Sequence, residues 1–376
     1  MAAGLALGLV CLGQGNQAAG LADLHIENTL RKYTAGGRAD QPSAAAANTL
    51  ANVTDPTLCC RVKEGDNVNL DVTAPGATLA LGLMYLKTNN TTVASRLTVP
   101  KTHFLLQYLR PDLVLLRVLA RNLVMWDQIV PTTQFVEDHM PEIVKGAYDG
   151  KSKEANQMKD ADSFSEDLDT LRHVHANIVA GCCMSIGLRY AGSGESKSMT
   201  LLLHYIDHFK SLRAKCEGHR RIDKQLIETC LAISALSAAL VMAGTGDLQL
   251  LRHLRALRSR VDADLNYGHH MAFGMAIGLL FLGGGRATLC TSNEAIGALV
   301  VALYPRFPIS TSDCRYHLQA FRHLYVLAVE HRLSWTTLLR LCVDSFDTSM
   351  HAINSIEHQV SGGNRFGLKA PLCSPR

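Results

Sequence analysis

Short apolar stretches with a small residue at every fourth position recur along this chain. Five of them align on one anchor residue. The residue four positions before the anchor is then small in every copy, and the residue three positions before it is Leu or Met. Each stretch ends in a turn, and four of the five turns contain glycine. The five repeat anchors are Gly8, Gly82, Gly187, Ala239 and Gly278.

Residues four apart lie on one face of a helix, so each stretch predicts a helix with one face free of bulky side chains. A helical glycine costs about 1 kcal/mol relative to alanine, and its recurrence indicates close packing against a neighbouring helix. We therefore predict an all-α fold, an α–α solenoid of helical hairpins. On this interpretation Gly278→Leu overpacks the small face, at a cost of roughly 1–3 kcal/mol.

The intervals between anchors predict the organisation of the chain. The shortest interval, from Ala239 to Gly278, has the length of one two-helix repeat. The longer ones must contain insertions or a copy whose motif has decayed, and residues 34–73 and 149–170 have the polar composition of insertions. Residues 293–303 fit a partner helix of the fifth copy, and residues 313–332 fit one more amphipathic helix.

These features predict a repeat domain over residues 1–330. After about residue 330 the pattern fades, which predicts a divergent C-terminal tail over residues 331–376. The first copy begins at residue 3 without a capping helix, as expected of a piece of a longer protein or of an incomplete gene model.

The composition fits a large helical core. Hydrophobic residues make up 47% of the chain and charged residues 19%, below the usual share of about 25%. The net charge of +4 is too small to indicate a nucleic acid or an anionic membrane as partner. The apolar N-terminal stretch lacks a basic leader and recurs internally, so we interpret it as a repeat rather than a signal peptide. The longest apolar stretches are shorter than the about 20 residues of a membrane span.

The eleven cysteines show no Cys-x-x-Cys spacing. This usage favours reduced thiols in a nuclear or cytosolic chain. Gly13 and Gly15 follow an apolar run and imitate a dinucleotide fingerprint. That fingerprint requires a preceding strand and a βαβ unit, whereas the same glycine turn ends other copies here, so we predict a repeat turn.

Two histidine pairs and one arginine row are further candidates. His204 and His208 are four residues apart on a predicted helix and could share a metal ion, but no third ligand stands at a useful spacing. His269 and His270 precede the fifth copy, where we expect packing or hydrogen bonding at the helix start. The third candidate is the arginine row Arg252, Arg255, Arg258 and Arg260.

The arginine row fits either a solvated helix face or a contact with an acidic partner. No Gly-x-Ser-x-Gly elbow and no cysteine-protease signature occurs in the sequence. We assign no catalytic, cofactor-binding or metal-binding residue.

Longer strings of sequence add a resemblance. The five copies resemble proteasome/cyclosome repeats, a family that comprises large non-ATPase subunits of the proteasome regulatory particle and the largest subunits of the anaphase-promoting complex. The strings at residues 74–90, 110–126, 265–272 and 316–328 are similar to the second group. The resemblance covers about residues 1–330.

This resemblance implies a helical toroid of two concentric layers. It also implies a non-catalytic scaffold of a ubiquitin ligase that drives the metaphase–anaphase transition and mitotic exit. The implied partners are the Doc-domain subunit, the cullin–RING module and the tetratricopeptide subunits, without nucleic acid, membrane or cofactor, in nucleus and cytoplasm. Two alternatives stay open at this point: a proteasome subunit that docks ubiquitin receptors, and an enzyme that uses the helix of His204 and His208.

Overall fold

The structure, a computed structural model, describes residues 1–17, 25–35, 70–102, 105–106, 109–149, 161–215, 223–313 and 318–332. Most described residues are helical, which confirms the predicted all-α repeat solenoid. The α-helices in these ranges are α1 (Ala2–Val10), α2 (Ile26–Ala35), α3 (Leu70–Met84), α4 (Thr91–Arg96), α5 (Pro111–Val124), α6 (Thr133–Asp138), α7 (Glu142–Asp149), α8 (Ala161–Arg189), α9 (Ser196–Lys215), α10 (Lys224–Val241), α11 (Leu248–Arg258), α12 (Tyr267–Leu280), α13 (Asn293–Ala302) and α14 (Leu318–Phe321).

Short elements complete the described part. Single 3-10 turns lie at Gly15–Gln17, Trp126–Gln128, Leu282–Gly285 and Arg322–Ala328. Strands β1 (Ala287–Leu289) and β2 (Val329–His331) pair in a two-stranded sheet. Met1–Glu330 forms one compact unit.

The helices form an inner row and an outer set. Helices α1, α3, α5, α8, α10 and α12 pack one against the next in chain order, and α2, α4, α7, α9 and α11 pack outside them, each against the inner helix that follows it in sequence. All residues in the ranges 74–86, 174–188 and 230–241 of the inner row are buried. Within the described ranges, α10 is the one helix long and apolar enough to cross a membrane, and most of it is buried between its neighbours.

The inner helices approach closely at their anchors. A Cβ built on Gly8 would lie 3.0 Å from Cα of Ala80, one on Gly82 would lie 2.9 Å from Cα of Ala120, and one on Gly187 would lie 2.7 Å from Cα of Ser237. In each pair the second residue stands two positions before the anchor register of the next helix. This position is Ala or Ser in every inner helix, a second small-residue column that the sequence analysis missed.

Backbone hydrogen bonds from the turns tie the same neighbours together. The N–H of the residue five positions after an anchor donates to a carbonyl near the C-terminal end of the next inner helix. These donors have φ of 60–71°, the left-handed region that glycine enters at least cost. The bonds are Gly13 N–Leu83 O (3.0 Å), Lys87 N–Leu123 O (2.9 Å), Gly192 N–Leu240 O (2.8 Å) and Gly244 N–Leu279 O (3.0 Å).

Helix α5 is a sixth copy, one of the two contents, a decayed copy or an insertion, that the long interval between Gly82 and Gly187 allowed. Because Lys87 bonds to Leu123, Asn122 takes the anchor position in α5. Its amide Nδ2 donates to Oγ of Ser185 on α8 at 3.1 Å. The contact between anchor and small residue is thus kept as a buried polar pair, and the missing glycine hid this copy from the pattern.

The chain after α12 runs back past the turns that follow α8 and α3. Thr288 donates to the carbonyl of Gly192 at 3.0 Å, and Lys87 donates to the carbonyl of Thr291. Helix α13 then meets α1, because a Cβ on Gly297 would lie 2.9 Å from Cδ2 of Leu9. The residues from α12 to α13 therefore connect the last copy with the first.

Three sequence expectations need correction. The insertions predicted at 34–73 and 149–170 are shorter, because α2 extends to Ala35, α3 begins at Leu70 and α8 begins at Ala161; the residues between these helices lie outside the described ranges. Residues 293–303 do form a helix, but the outer helix that packs on α12 is α11. The described residues of 313–332 form a short helix, a 3-10 turn and a strand, not one amphipathic helix.

The fifth sequence anchor is not packed like the others. Gly278 is exposed, and a Cβ there would meet no described atom within 4 Å. The expectation that Gly278→Leu overpacks the layer is therefore wrong for the described structure. Since α12 is the last inner helix of the described row, no following helix covers its small face.

We predict opposite effects of alanine at two anchors. Gly187→Ala should lower the free energy of unfolding by about 1–3 kcal/mol, because the new methyl group meets the backbone of Ser237. Gly278→Ala should raise it by up to about 1 kcal/mol, because alanine is the better helix former and the site is open. Urea unfolding of both variants measures these changes, and an equal loss at both positions would contradict the packing described above.

Candidate interaction surfaces

The glycine turn at Gly13 and Gly15 is a structural turn. It follows helix α1, and Gly13 donates its N–H to Leu83 of the next inner helix. The predicted repeat turn is confirmed, and the strand that a dinucleotide fingerprint requires is replaced by a helix.

The two histidines of α9 have different surroundings. His204 is exposed, with its ring 5.3 Å from that of Tyr205. His208 is half-buried, with its ring 6.3 Å from that of His175 and 5.6 Å from that of Phe209. Among the residues that the structure describes, no three His, Cys, Asp or Glu side chains are grouped to hold a metal ion. His204 and His208 therefore lie in different surroundings and do not form one metal site among the described residues.

His269 is part of a helix cap, as the sequence predicts. Asn266 accepts a hydrogen bond from the backbone N–H of His269 at 3.0 Å, and Nδ1 of His269 accepts from the N–H of Asn266. Its Nε2 lies 3.2 Å from Oγ1 of Thr229, so the neutral ring carries its proton on Nε2. Burial lowers the pKa of His269 to about 4. The neutral ring of His269 thus helps to cap the N-terminal end of α12.

Arg260 does not share the exposed surface of the other three arginines, because its guanidinium group points into the protein. Its two Nη atoms donate to the two carboxylate oxygens of Glu228 at 2.8 and 2.7 Å, and Glu228 is fully buried. Arg213 of α9 pairs with the same carboxylate. A buried carboxylate with two guanidinium partners holds α9, α10 and the chain after α11 together, so Arg260 is not available to a partner.

The other three arginines of the row are exposed on α11. Arg252, Arg255 and Arg258 point away from the buried side of this helix, where Leu250 and Leu254 contact the core. Among the described residues, none of the three guanidinium groups forms an ion pair. Within the described ranges, the outer face of α11 therefore presents three arginines without an ion-pair partner.

An apolar pocket of about 340 Å³ lies where the small face of α12 is open. Met271 and Met275 of α12, Leu303 after α13, and Tyr325 of the last 3-10 turn contribute to its walls. The buried guanidinium of Arg322 also borders the pocket but donates to the backbone carbonyls of Ala302, at the end of α13, and Tyr304. Gln319 and His323 add polar side chains to this mainly apolar lining.

A family model described as the APC1 fifth domain matches residues 1–330. The chain belongs to this family. Relatives of the anaphase-promoting complex subunit 1 family include that subunit from Mus musculus, 43% identical over 338 residues that are 89% of this chain. The subunit from Schizosaccharomyces pombe is 37% identical over 377 residues, which cover all of this chain. A protein of Emericella nidulans named negative regulator of mitosis is 40% identical over 334 residues, 88% of this chain.

The chain spans about a fifth of the length of these subunit 1 relatives, 17% of the mouse protein and 23% of the fission yeast protein. The fission yeast match also covers residues 331–376, which lie beyond the resemblance described for residues 1–330. Membership of the anaphase-promoting complex subunit 1 family thus rests on most of the chain.

We predict that His269 makes this fold acid-sensitive. Its pKa is about 4 in the fold and 6.5 ordinarily, so the unfolded chain binds a proton between these values that the folded chain does not. Stability is full above pH 6.5 and falls as the pH drops toward 4, by about 2 kcal/mol from this group between pH 7 and 5. Unfolding measured at pH 7 and 5 should show a smaller acid loss in His269→Gln, which keeps an N3 capping side chain.

The exposed His204 supplies the control for this experiment. His204→Gln should leave the acid loss unchanged, because its ring is in solvent. If His269→Gln and wild-type protein lost the same stability on acidification, the buried neutral histidine would not be the cause.

Proposed function

We propose that this chain is a non-catalytic scaffold segment of the anaphase-promoting complex, a ubiquitin ligase. The observation that carries the proposal is membership of the subunit 1 family over residues 1–330. The relatives are named as subunits of that complex and, in one case, as a regulator of mitosis. On this proposal the segment takes part in cell-cycle-regulated ubiquitination at the metaphase–anaphase transition and mitotic exit.

The packing supports a geometric mechanism. Polar groups of the inner helices are paired inside the fold, as in the Asn122–Ser185 pair between α5 and α8 and in the pairing of Glu228 on α10 with Arg260 after α11. The outer helices expose polar and charged side chains that can vary without disturbing the row. Such an array holds bound proteins at fixed separations, while ubiquitin chemistry belongs to the proteins that it holds.

The proposed partners are the Doc-domain subunit, the cullin–RING module and the tetratricopeptide subunits. We propose the nucleus and the cytoplasm as the places where the segment acts. The alternative of a proteasome regulatory-particle subunit has less support, because the matching family model and the relatives named above are of the anaphase-promoting complex type or a mitotic regulator. The metal-dependent enzyme alternative has no ligand group among the described residues to support it.

Affinity capture from mitotic cells tests this function. We expect the tagged chain to co-purify with Doc-domain, cullin and tetratricopeptide subunits, identified by mass spectrometry. The variant Gly187→Leu should lose these partners, because the added side chain forces the inner helices apart. The variant Gly278→Ala should retain them.

Two outcomes would contradict the proposal. Capture of proteasome ATPase-ring subunits would assign the chain to the other branch of the repeat family. A folded chain that captures none of the named subunits would show that this segment is not a scaffold for them.

A further inference from the structure

The outer face of α11 differs from an ordinary solvated helix face in its charge balance. From residue 248 to residue 261 the sequence contains no Asp or Glu, while Arg252, Arg255 and Arg258 are exposed. Solvated helices usually intersperse charges of both signs, and an unbalanced row repels itself. A partner that supplies negative charge would relieve this repulsion between the arginines.

The nearest carboxylates in sequence are already engaged. Asp247 caps α11 by accepting the N–H of Leu250 at 2.7 Å. Asp262 pairs with Arg213, and Asp264 lies 3.5 Å from Nζ of Lys224. None of these groups is left to neutralise the arginine row.

The helix dipole explains only part of the row. Basic residues in the last turn of a helix interact favourably with its C-terminal end, which accounts for Arg255 and Arg258. Arg252 lies before the last turn and gains nothing of this kind. The helix dipole therefore does not account for Arg252.

Exposed apolar side chains stand at both ends of the row. Leu248 is 65% exposed at the start of α11, and Val261 is 96% exposed just after its end. An apolar pair beside an arginine row matches a protein segment with both acidic and apolar side chains. Nucleic acid supplies phosphates along its backbone but no aliphatic side chains to cover these two residues.

We infer that the face of α11 from Leu248 to Val261 is a docking surface for an acidic segment of a partner protein. Arginine suits this role because its planar guanidinium pairs with a carboxylate through two parallel hydrogen bonds. Helix α11 is roughly 16 Å long at 1.5 Å per residue, which about five residues of an extended segment span. The inference deepens the scaffold proposal, on which it rests for the existence of a partner.

A peptide-binding assay on the full chain tests the surface apart from the assembly of the complex. The probe is a fluorescein-labelled 12-residue peptide with Glu and Asp in its centre and Leu at each end, followed by fluorescence anisotropy. The variant R252S/R255S/R258S should weaken binding by about tenfold, the sum of three exposed ion pairs of modest strength. Binding of the wild-type chain should also weaken as salt is raised.

A matched control removes the same charge elsewhere. Lys101, Lys197 and Arg286 are exposed, and K101S/K197S/R286S lowers the net charge by the same amount. This variant should bind the peptide with about wild-type affinity. A peptide with Gln and Asn in place of Glu and Asp should bind much more weakly to the wild-type chain.

Three results would overturn the inference. The first is equal binding by R252S/R255S/R258S and wild-type protein, and the second is an equal loss in the control variant. The third is arginine-dependent binding of a single-stranded RNA or of anionic lipid vesicles in preference to the peptide, which would assign the surface to another class of partner. Failure of the capture experiment with intact peptide binding would contradict the proposed function and leave the surface in place.

Discussion

The close approach of neighbouring inner helices is the constraint on which this structure depends. At Gly8, Gly82 and Gly187, glycine faces the Cα of an Ala or Ser on the next helix, with no room for a Cβ at Gly82 or Gly187. The backbone N–H five positions after each of these glycines donates to the next inner helix. Where the two features occur together, they set both the distance between the two helices and their relative position along the helix axis.

Helix α5 shows that a polar residue can also take the anchor position. Asn122 is buried at the anchor position, and its amide donates to Ser185. A buried amide without a partner would cost more than the contact gains, so Ser185 and Asn122 depend on each other. The contact survives because its polar atoms are satisfied, not because the residue is small.

Because the inner helices are largely buried, the exposed charged side chains lie mainly on the outer helices. The inner helices have long ranges without an exposed residue, and the buried carboxylate of Glu228 is paired with two arginines. The outer helices need only one apolar side to hold their place, so their other side is free to carry charge. Helix α11 follows this division, with Leu250 and Leu254 inward and Arg252 and Arg255 outward.

The sequence by itself determined the all-α solenoid, five of the six repeats and a packing or hydrogen-bonding role of His269 at the start of α12, because small residues at a period of four and polar residues before an apolar run are local signals. Tertiary structure alone decided that α5 is a repeat, since its anchor is recognised only through the bond from Lys87 to Leu123. It also decided that Gly278 is open and that Arg260 is internal. Openness and ion pairing depend on which helix arrives opposite a residue, and the pattern of one helix does not contain that information.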